Sequence, residues 1–302
     1  MNSLTKYNFV KFFKIANIVS FALVILSLLL ILFKGLNFGI DFKGGTLIEL
    51  RTNSPNIHIT DIRSSFSKMN LGDLNVKEFG KKGDYLIKFE KKDFKDNSFI
   101  KSVKKNITND LQADVNFRRI EDVGPKVSSE LLKSGLLAIV LSLGAMLFYI
   151  WIRFEWQFSL GAIAALFHDV IITLGIFSFL SLEINLSIVA AVLTIVGYSM
   201  NDTVVIFDRV RDNLKKHAHL NIFDLSNQSI NETLSRTILT SLTTLLALLS
   251  IFFIGGEILR GFSFAMIMGV IVGTYSSIFI ANPILVKLNV NHDTLVKQEE
   301  KN

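Results

Sequence analysis

TIVGYSMNDTVVIFDRVRDN, residues 194–213, decides how the chain is read. It begins as apolar as a membrane span, carries Asn201 and Asp202 inside the apolar run, and leaves it through Asp208, Arg209 and Arg211. A carboxylate among Ile, Val and Phe is costly in hydrocarbon, which makes it a functional position by default, with a partner to be sought. Thr194, Tyr198, Asn201/Asp202, Val205 and Asp208/Arg209 recur at helical spacing, so the polar groups share one stripe. Such a stripe faces other helices or water, not lipid.

Half of the 302 residues are apolar, Phe is abundant at 26, Pro is scarce at 3, and mean hydropathy is +0.45. The apolar residues gather in a lone run near the N-terminus and a dense block from Gly135 to Val286, with a polar stretch between. That layout predicts a multi-pass α-helical membrane protein of six transmembrane helices, with one folded insert between the first and second. The net charge of +6 does not argue for nucleic acid, because Lys and Arg are expected at cytoplasmic flanks of spans. With no cysteine, disulfides, Cys-ligated zinc, iron–sulfur centres and thiol nucleophiles are excluded.

Residues 1–14 form a basic cytoplasmic head with Lys6, Lys11 and Lys14, followed by a first transmembrane helix at 15–34. The apolar run exceeds a signal-peptide core, and LFKGLNFG offers no A-x-A-like cleavage site, so it reads as a retained span. Residues 35–133 read as an extracytoplasmic α+β domain. Alternation marks strands at TLIELR (46–51), LNVKEF (74–79), DYLIKFE (84–90) and DVNFRRIEDV (114–123), with a hairpin signal at Gly80–Gly83. ITDIRSSFSKM (59–69) is helical, as is SFIKSVKKNITNDL (98–111), which puts Phe99, Val103, Ile107 and Leu111 on one face. The order βαββαβ predicts a ferredoxin-like sandwich. His58 reads as a solvated loop histidine at a helix start. Residues 134–286 hold a five-helix bundle with spans at 134–152, 158–180, 184–207, 237–254 and 261–286, and 287–302 form a cytoplasmic tail. Arg153, Arg209, Arg211, Lys215 and Lys216 fall in loops assigned to the cytoplasm, and Glu183, Glu257 and Arg260 in loops assigned outside, in line with the positive-inside rule.

SRTILTSLTTLLA (235–247) puts Arg236, Thr240, Thr243/Thr244 and Ala247 on one helix face. The antiparallel run of the two spans places Arg236 where it can approach Asp202. The pair then serves either as a proton carrier with two environments or as a static packing pair. His168 and Asp169, mid-span in AALFHDVIITLG, either extend a relay or hydrogen-bond across helices. No metal site is expected, since adjacent helical residues diverge by about 100° and no third ligand is evident. Gly261, Gly269 and Gly273, with Ser263 and Ser277, allow close helix packing. FGIDFKGGT lacks the G-K-[ST] ending of a phosphate loop, and nothing resembles a hydrolase triad, so no enzyme activity is expected.

NFGIDFKGGTLIEL (37–50), ALFHDVIITLG (165–175), VGYSMNDTVVIFDRVRDN (196–213) and the run from Arg236 to Leu285 together resemble the SecF branch of the SecD/SecF family of the bacterial Sec translocase. SecD is similar too, but its exported region is larger than this length can hold. The resemblance implies membership of the resistance-nodulation-division superfamily and a place in the inner membrane. It implies association with SecD, the SecYEG channel, YajC and the preprotein, and use of the proton-motive force late in export. It needs no cofactor beyond the proton. It assigns proton conduction to the aspartate of VGYS-x-ND and the arginine opening R-T-x-x-T-S, here Asp202 and Arg236, with Asn201 and Thr240 in support. Met200 stands where an aliphatic residue is expected, a volume-conserving exchange. Two rivals are a small-solute exporter of the same superfamily and a scaffold whose buried ions only set helix register.

Overall fold

The structure, a computed structural model, describes residues 7–291 and 294 except 53, 55, 56, 79, 91–97, 114, 218 and 219, without the side chains of 98–100 and 257. Expectations resting on Lys6, Phe79, Asp114, the Phe99 side chain and the tail beyond 294 lie outside the described residues. A 3-10 turn (Val10–Phe12) precedes α1 (Phe13–Phe33), β1 (Asn37–Phe38), α2 (Ile40–Lys43), β2 (Gly45–Thr52), α3 (Ile59–Ser67), β3 (Leu74–Glu78), β4 (Asp84–Phe89), α4 (Ser98–Leu111) and β5 (Val115–Val123). There follow α5 (Pro125–Arg153), α6 (Trp156–Phe179), β6 (Glu183–Ile184), α7 (Leu186–Lys216), α8 (Ile222–Ile254), α9 (Glu257–Ser276), a π-helical turn (Ser277–Ala281) and α10 (Asn282–Lys287). The chain divides into two units, Phe38–Leu136, and Met1–Asn37 with Leu137–Asn302.

In the smaller unit four antiparallel strands run in the order β3-β4-β2-β5. Ile48 of β2 pairs with Ile87 of β4 and Ile120 of β5. Ile48, Leu50 and Ile87 are buried together with Ile62 and Phe66 of α3 and Val103 and Ile107 of α4, one apolar core between sheet and helices. The β3–β4 turn closes at Gly83, whose φ of +92° and whose distance from the Thr52 carbonyl leave no room for a Cβ. Across β2 and β4 the Arg51 guanidinium donates two hydrogen bonds to the Asp84 carboxylate, which Arg118 of β5 also approaches at 3.8 Å. Arg51 beside it holds the buried Asp84 carboxyl below the usual carboxylate range. His58 is exposed and starts α3 as its N-cap, its backbone N–H donating to the Asp61 carboxylate at 2.8 Å.

Among the described residues six helices are long and apolar enough to cross a membrane, and they make up the larger unit except that α5 enters it only from Leu137. Half or more of the apolar windows of α6, α7 and the α9–α10 run are buried (56%, 50% and 56%), against 11–17% for α1, α5 and α8, so the former three are central. The helices outrun the apolar spans read from sequence. α7 continues to Lys216, past residue 207, and α8 starts at Ile222, fifteen residues before 237. Hydropathy stops at the first charges, whereas a helix continues as long as its backbone is bonded and its polar side chains are served. Asn221 caps α8 by accepting from Asp224 N–H at 2.9 Å, and Asn185 caps α7 by accepting from Ile188 N–H at 3.1 Å. The last span is also interrupted by its π-helical turn. Pro283 follows at the start of α10; it lacks an N–H, and its ring excludes the carbonyl four residues back, which favours a widened turn there.

Candidate functional site: a polar seam within the six-helix unit

Glycines bring α7 and α9 into close contact, and each helix donates a serine hydroxyl to Asp169 of α6. A Cβ on Gly269 would lie 2.2 Å from Ile195 Cγ1, and one on Gly273 would lie 3.0 Å from Ser199 Cβ. Gly261 meets only Ile188 Cδ1 at 3.4 Å, an ordinary contact. Along this seam two carboxylates are buried, Asp169 from α6 and Asp202 from α7.

Asp169 is fully served. Its Oδ1 lies 2.8 Å from His168 Nδ1, and its Oδ2 accepts from Ser199 Oγ of α7 at 2.5 Å and Ser276 Oγ of α9 at 2.7 Å. Adjacent residues do diverge on a helix, yet the imidazole folds back onto the carboxylate. His168 stacks on Tyr275 of α9, with centroids 6.0 Å apart and planes inclined at 26°. The Tyr275 hydroxyl donates to the Ala16 carbonyl at 3.1 Å and meets Ser20 Oγ at 2.9 Å, both on α1. Thr203 Oγ1 and Ser277 Oγ lie 2.8 Å apart and continue the seam.

Asp202 is 3% exposed, and its Oδ2 has no hydrogen-bond partner. Its carboxyl lies against Ser241 of α8 and Thr274 of α9, whose hydroxyls are 2.7 Å apart. Arg236 is near enough for its charge to act on the carboxyl, but no ion pair within 4 Å joins them. Arg236 instead lines an open cleft of about 400 Å³ with Asn201, Asp208, Gly197, Met200 and Tyr149. Thr240 spends its hydroxyl on its own helix, at the Arg236 and Thr237 carbonyls. Thus Arg236 and Asn201 share one cleft, Asp202 packs against the hydroxyls of α8 and α9, and Thr240 reaches neither.

Beyond Asp202, α7 is tied to its neighbours by charge. Arg153 donates to Asp208 at 2.8 Å, Arg211 lies 3.5 Å from the buried Glu155, and Arg209 pairs with Glu232. Asn213 also donates to Glu232 and to Ser229, each at 2.9 Å. Sequence reasoning passed over Glu155, Glu232, Ser199, Ser241, Thr274 and Ser276. The signal for the hydroxyls was their clustering at 274–277 in an apolar run; isolated serines carry none. Among the described residues no three His, Asp or Glu side chains are grouped to hold a metal ion.

The family described as protein export membrane protein SecD/SecF, C-terminal, matches residues 103–291, and the SecD/SecF GG motif matches residues 29–55. Protein translocase subunit SecF of Rickettsia bellii is 44% identical over 282 residues, 92% of each chain. That of Vibrio alginolyticus is 41% identical over 293 residues, 95% of this chain and 91% of the relative. The crystal structure of SecDF from Thermus thermophilus, described as a translocon-associated membrane protein, superposes with a TM-score of 0.84 at 35% identity, covering 93% of this chain and 38% of that one. SecDF in a super-membrane-facing form gives 0.70 at 33% identity, covering 98% and 40%. This chain therefore spans about two-fifths of either SecDF chain. With a family match over more than half its length and a relative 44% identical across nearly all of it, the chain belongs to the SecD/SecF family of protein export membrane proteins.

Proposed function

We propose that the chain is a non-enzymatic, SecF-type subunit that pairs with SecD and uses the proton-motive force to promote late steps of preprotein export across the bacterial inner membrane. SecYEG, YajC, lipid and the preprotein are its further partners, and the proton is its only coupling species. Both termini are cytoplasmic in this reading. The smaller unit, with the strand order of a ferredoxin-like sandwich, lies outside the membrane between the first two spans. The observation that carries the proposal is the Asp202 carboxyl, buried with one oxygen lacking a partner and close to a cleft that holds Arg236.

Ionised, Asp202 needs a countercharge, and drawing toward Arg236 supplies it. Protonated, it is neutral, its new O–H is satisfied by the Ser241 and Thr274 hydroxyls, and its hold on Arg236 is released. Alternation between these pairings repacks α7 against α8 and α9. Because α1 and α5 lead into and out of the α/β unit, helix repacking has a covalent route to that unit. The test is preprotein release from inner-membrane vesicles with and without a proton gradient, comparing the wild-type complex with Asp202→Asn. Loss of gradient dependence in a complex that still assembles is expected; full retention would reduce the buried carboxylate to a packing group.

A further inference from the structure

The His168–Asp169 pair contains a polar atom that its surroundings leave unused. Ser199 and Ser276 donate to Asp169 Oδ2, so an ionised Asp169 requires Nδ1–H of His168 to donate to Oδ1. That tautomer leaves Nε2 as a bare acceptor, and Nε2 is buried without a partner in a residue only 4% exposed. An orphaned acceptor in such a place calls for a reason beyond packing. We propose that Nε2 of His168 is a second proton-accepting atom of the export machinery, distinct from Asp202. The step is a proton transfer alone. An N–H bond forms at Nε2 with a proton from a hydrated acid, and the charge of the His168–Asp169 pair rises from −1 to 0.

The surroundings suit both states. The carboxylate 2.8 Å from Nδ1 is already in place as counterion, and the stacked Tyr275 ring offers its face to an imidazolium. Tyr275 is hydrogen-bonded to Ala16 and Ser20, so a change in the stack is felt by α1. From the packed elements, α9 presents the titratable Tyr275, and α7 presents Ser199 with Asp202 three residues further along. α1 presents Ser20 to Tyr275; the π-helical turn carries Ser277, which bonds to Thr203, and α10 carries Asn282, which bonds to Ser226, with Lys287 at its far end.

This inference rests on the proton-coupled reading above. His168→Asn tests it, because the amide nitrogen can still donate to Asp169 while no titratable nitrogen remains. In the complex with its SecD partner, ¹⁵N-histidine NMR is recorded from about pH 8 to about pH 5, the range in which imidazoles titrate; His168→Asn identifies the signal. The expected result is a His168 Nε2 resonance that moves from the unprotonated to the protonated position, with gradient-dependent preprotein release in His168→Asn losing its pH dependence. A resonance fixed across the range, or unchanged release in an assembled His168→Asn complex, overturns it. Asp202→Asn, run alongside, separates the two claims. Coupling lost in Asp202→Asn but kept in His168→Asn removes only this inference, whereas coupling kept in Asp202→Asn removes the main reading, and the His168 resonance still decides the second site.

Discussion

Gly269→Ala tests whether the close α7–α9 approach holds the polar seam together. The added Cβ would fall 2.2, 2.5 and 2.9 Å from Cγ1, Cδ1 and Cγ2 of Ile195. Favourable carbon–carbon separations are about 3.5–4.0 Å, so three overlaps arise at once. Ile195 is 1% exposed and β-branched on a helix, where essentially one χ1 rotamer is open to it, so it has nowhere to turn. The helices must then separate, at the cost of about 1–3 kcal/mol typical of overpacked cores. For a folded unit of this size that lowers the melting midpoint by about 2–4 °C per kcal/mol. The assay is thermal unfolding of the purified protein in detergent for wild type, Gly269→Ala, Ile195→Ala and the double variant. Ile195→Ala alone loses packing, but in the double variant the new methyl occupies the vacated space. The two effects should therefore fall short of their sum by about 1 kcal/mol or more, as for residues in contact. Wild-type melting in Gly269→Ala, or strict additivity, would refute a close-packed seam at this point.

Two further predictions concern the α/β unit, read by amide hydrogen exchange on the full-length protein. Gly83→Ala forces a left-handed φ on a residue whose Cβ would meet the Thr52 carbonyl at 2.5 Å, so protection in β2 and β4 should drop by about 1–2 kcal/mol or more; unchanged protection would refute the steric reading. Asp84→Asn should cost about 1.5–3 kcal/mol near neutral pH, the worth of hydrogen bonds to a charged group. Because the folded carboxyl titrates below its unfolded value of about 3.9, that contribution is complete above this pH and lost as pH falls through the folded value. Wild type and variant should accordingly converge in acid, and a constant difference down to low pH would contradict the Arg51 pairing.

The coarse architecture was legible because burial writes itself into residue order. Strand alternation around Ile48 and Ile87, the helical face of Val103 and Ile107, and unbroken apolar runs each follow from one period. Asp202 and Arg236 stood out because a charge within an apolar run has few structural excuses. What was not legible depends on partners far apart in the chain. Ser199, Ser241, Thr274 and Ser276 are small hydroxyls that any membrane helix tolerates, and only the fold shows that two of them converge on Asp169 and two on Asp202. Nor could spacing show that Arg236 turns to an open cleft while Asp202 turns to hydroxyls, since a stripe on a helix fixes a face and not a rotamer. The π-helical turn was hidden for a similar reason. Pro283 signals an interruption, but its form depends on how the freed carbonyl is accommodated.

The most direct measurement of the central claim is proton flux itself. Liposomes holding the complex of this chain with its SecD partner, loaded with a pH-sensitive dye, are given a proton gradient while a preprotein is engaged in the channel. Wild type should dissipate the gradient faster when preprotein moves, and Asp202→Asn, assembled to the same extent, should not. Equal preprotein-dependent flux in both would contradict the account and place the proton path outside Asp202.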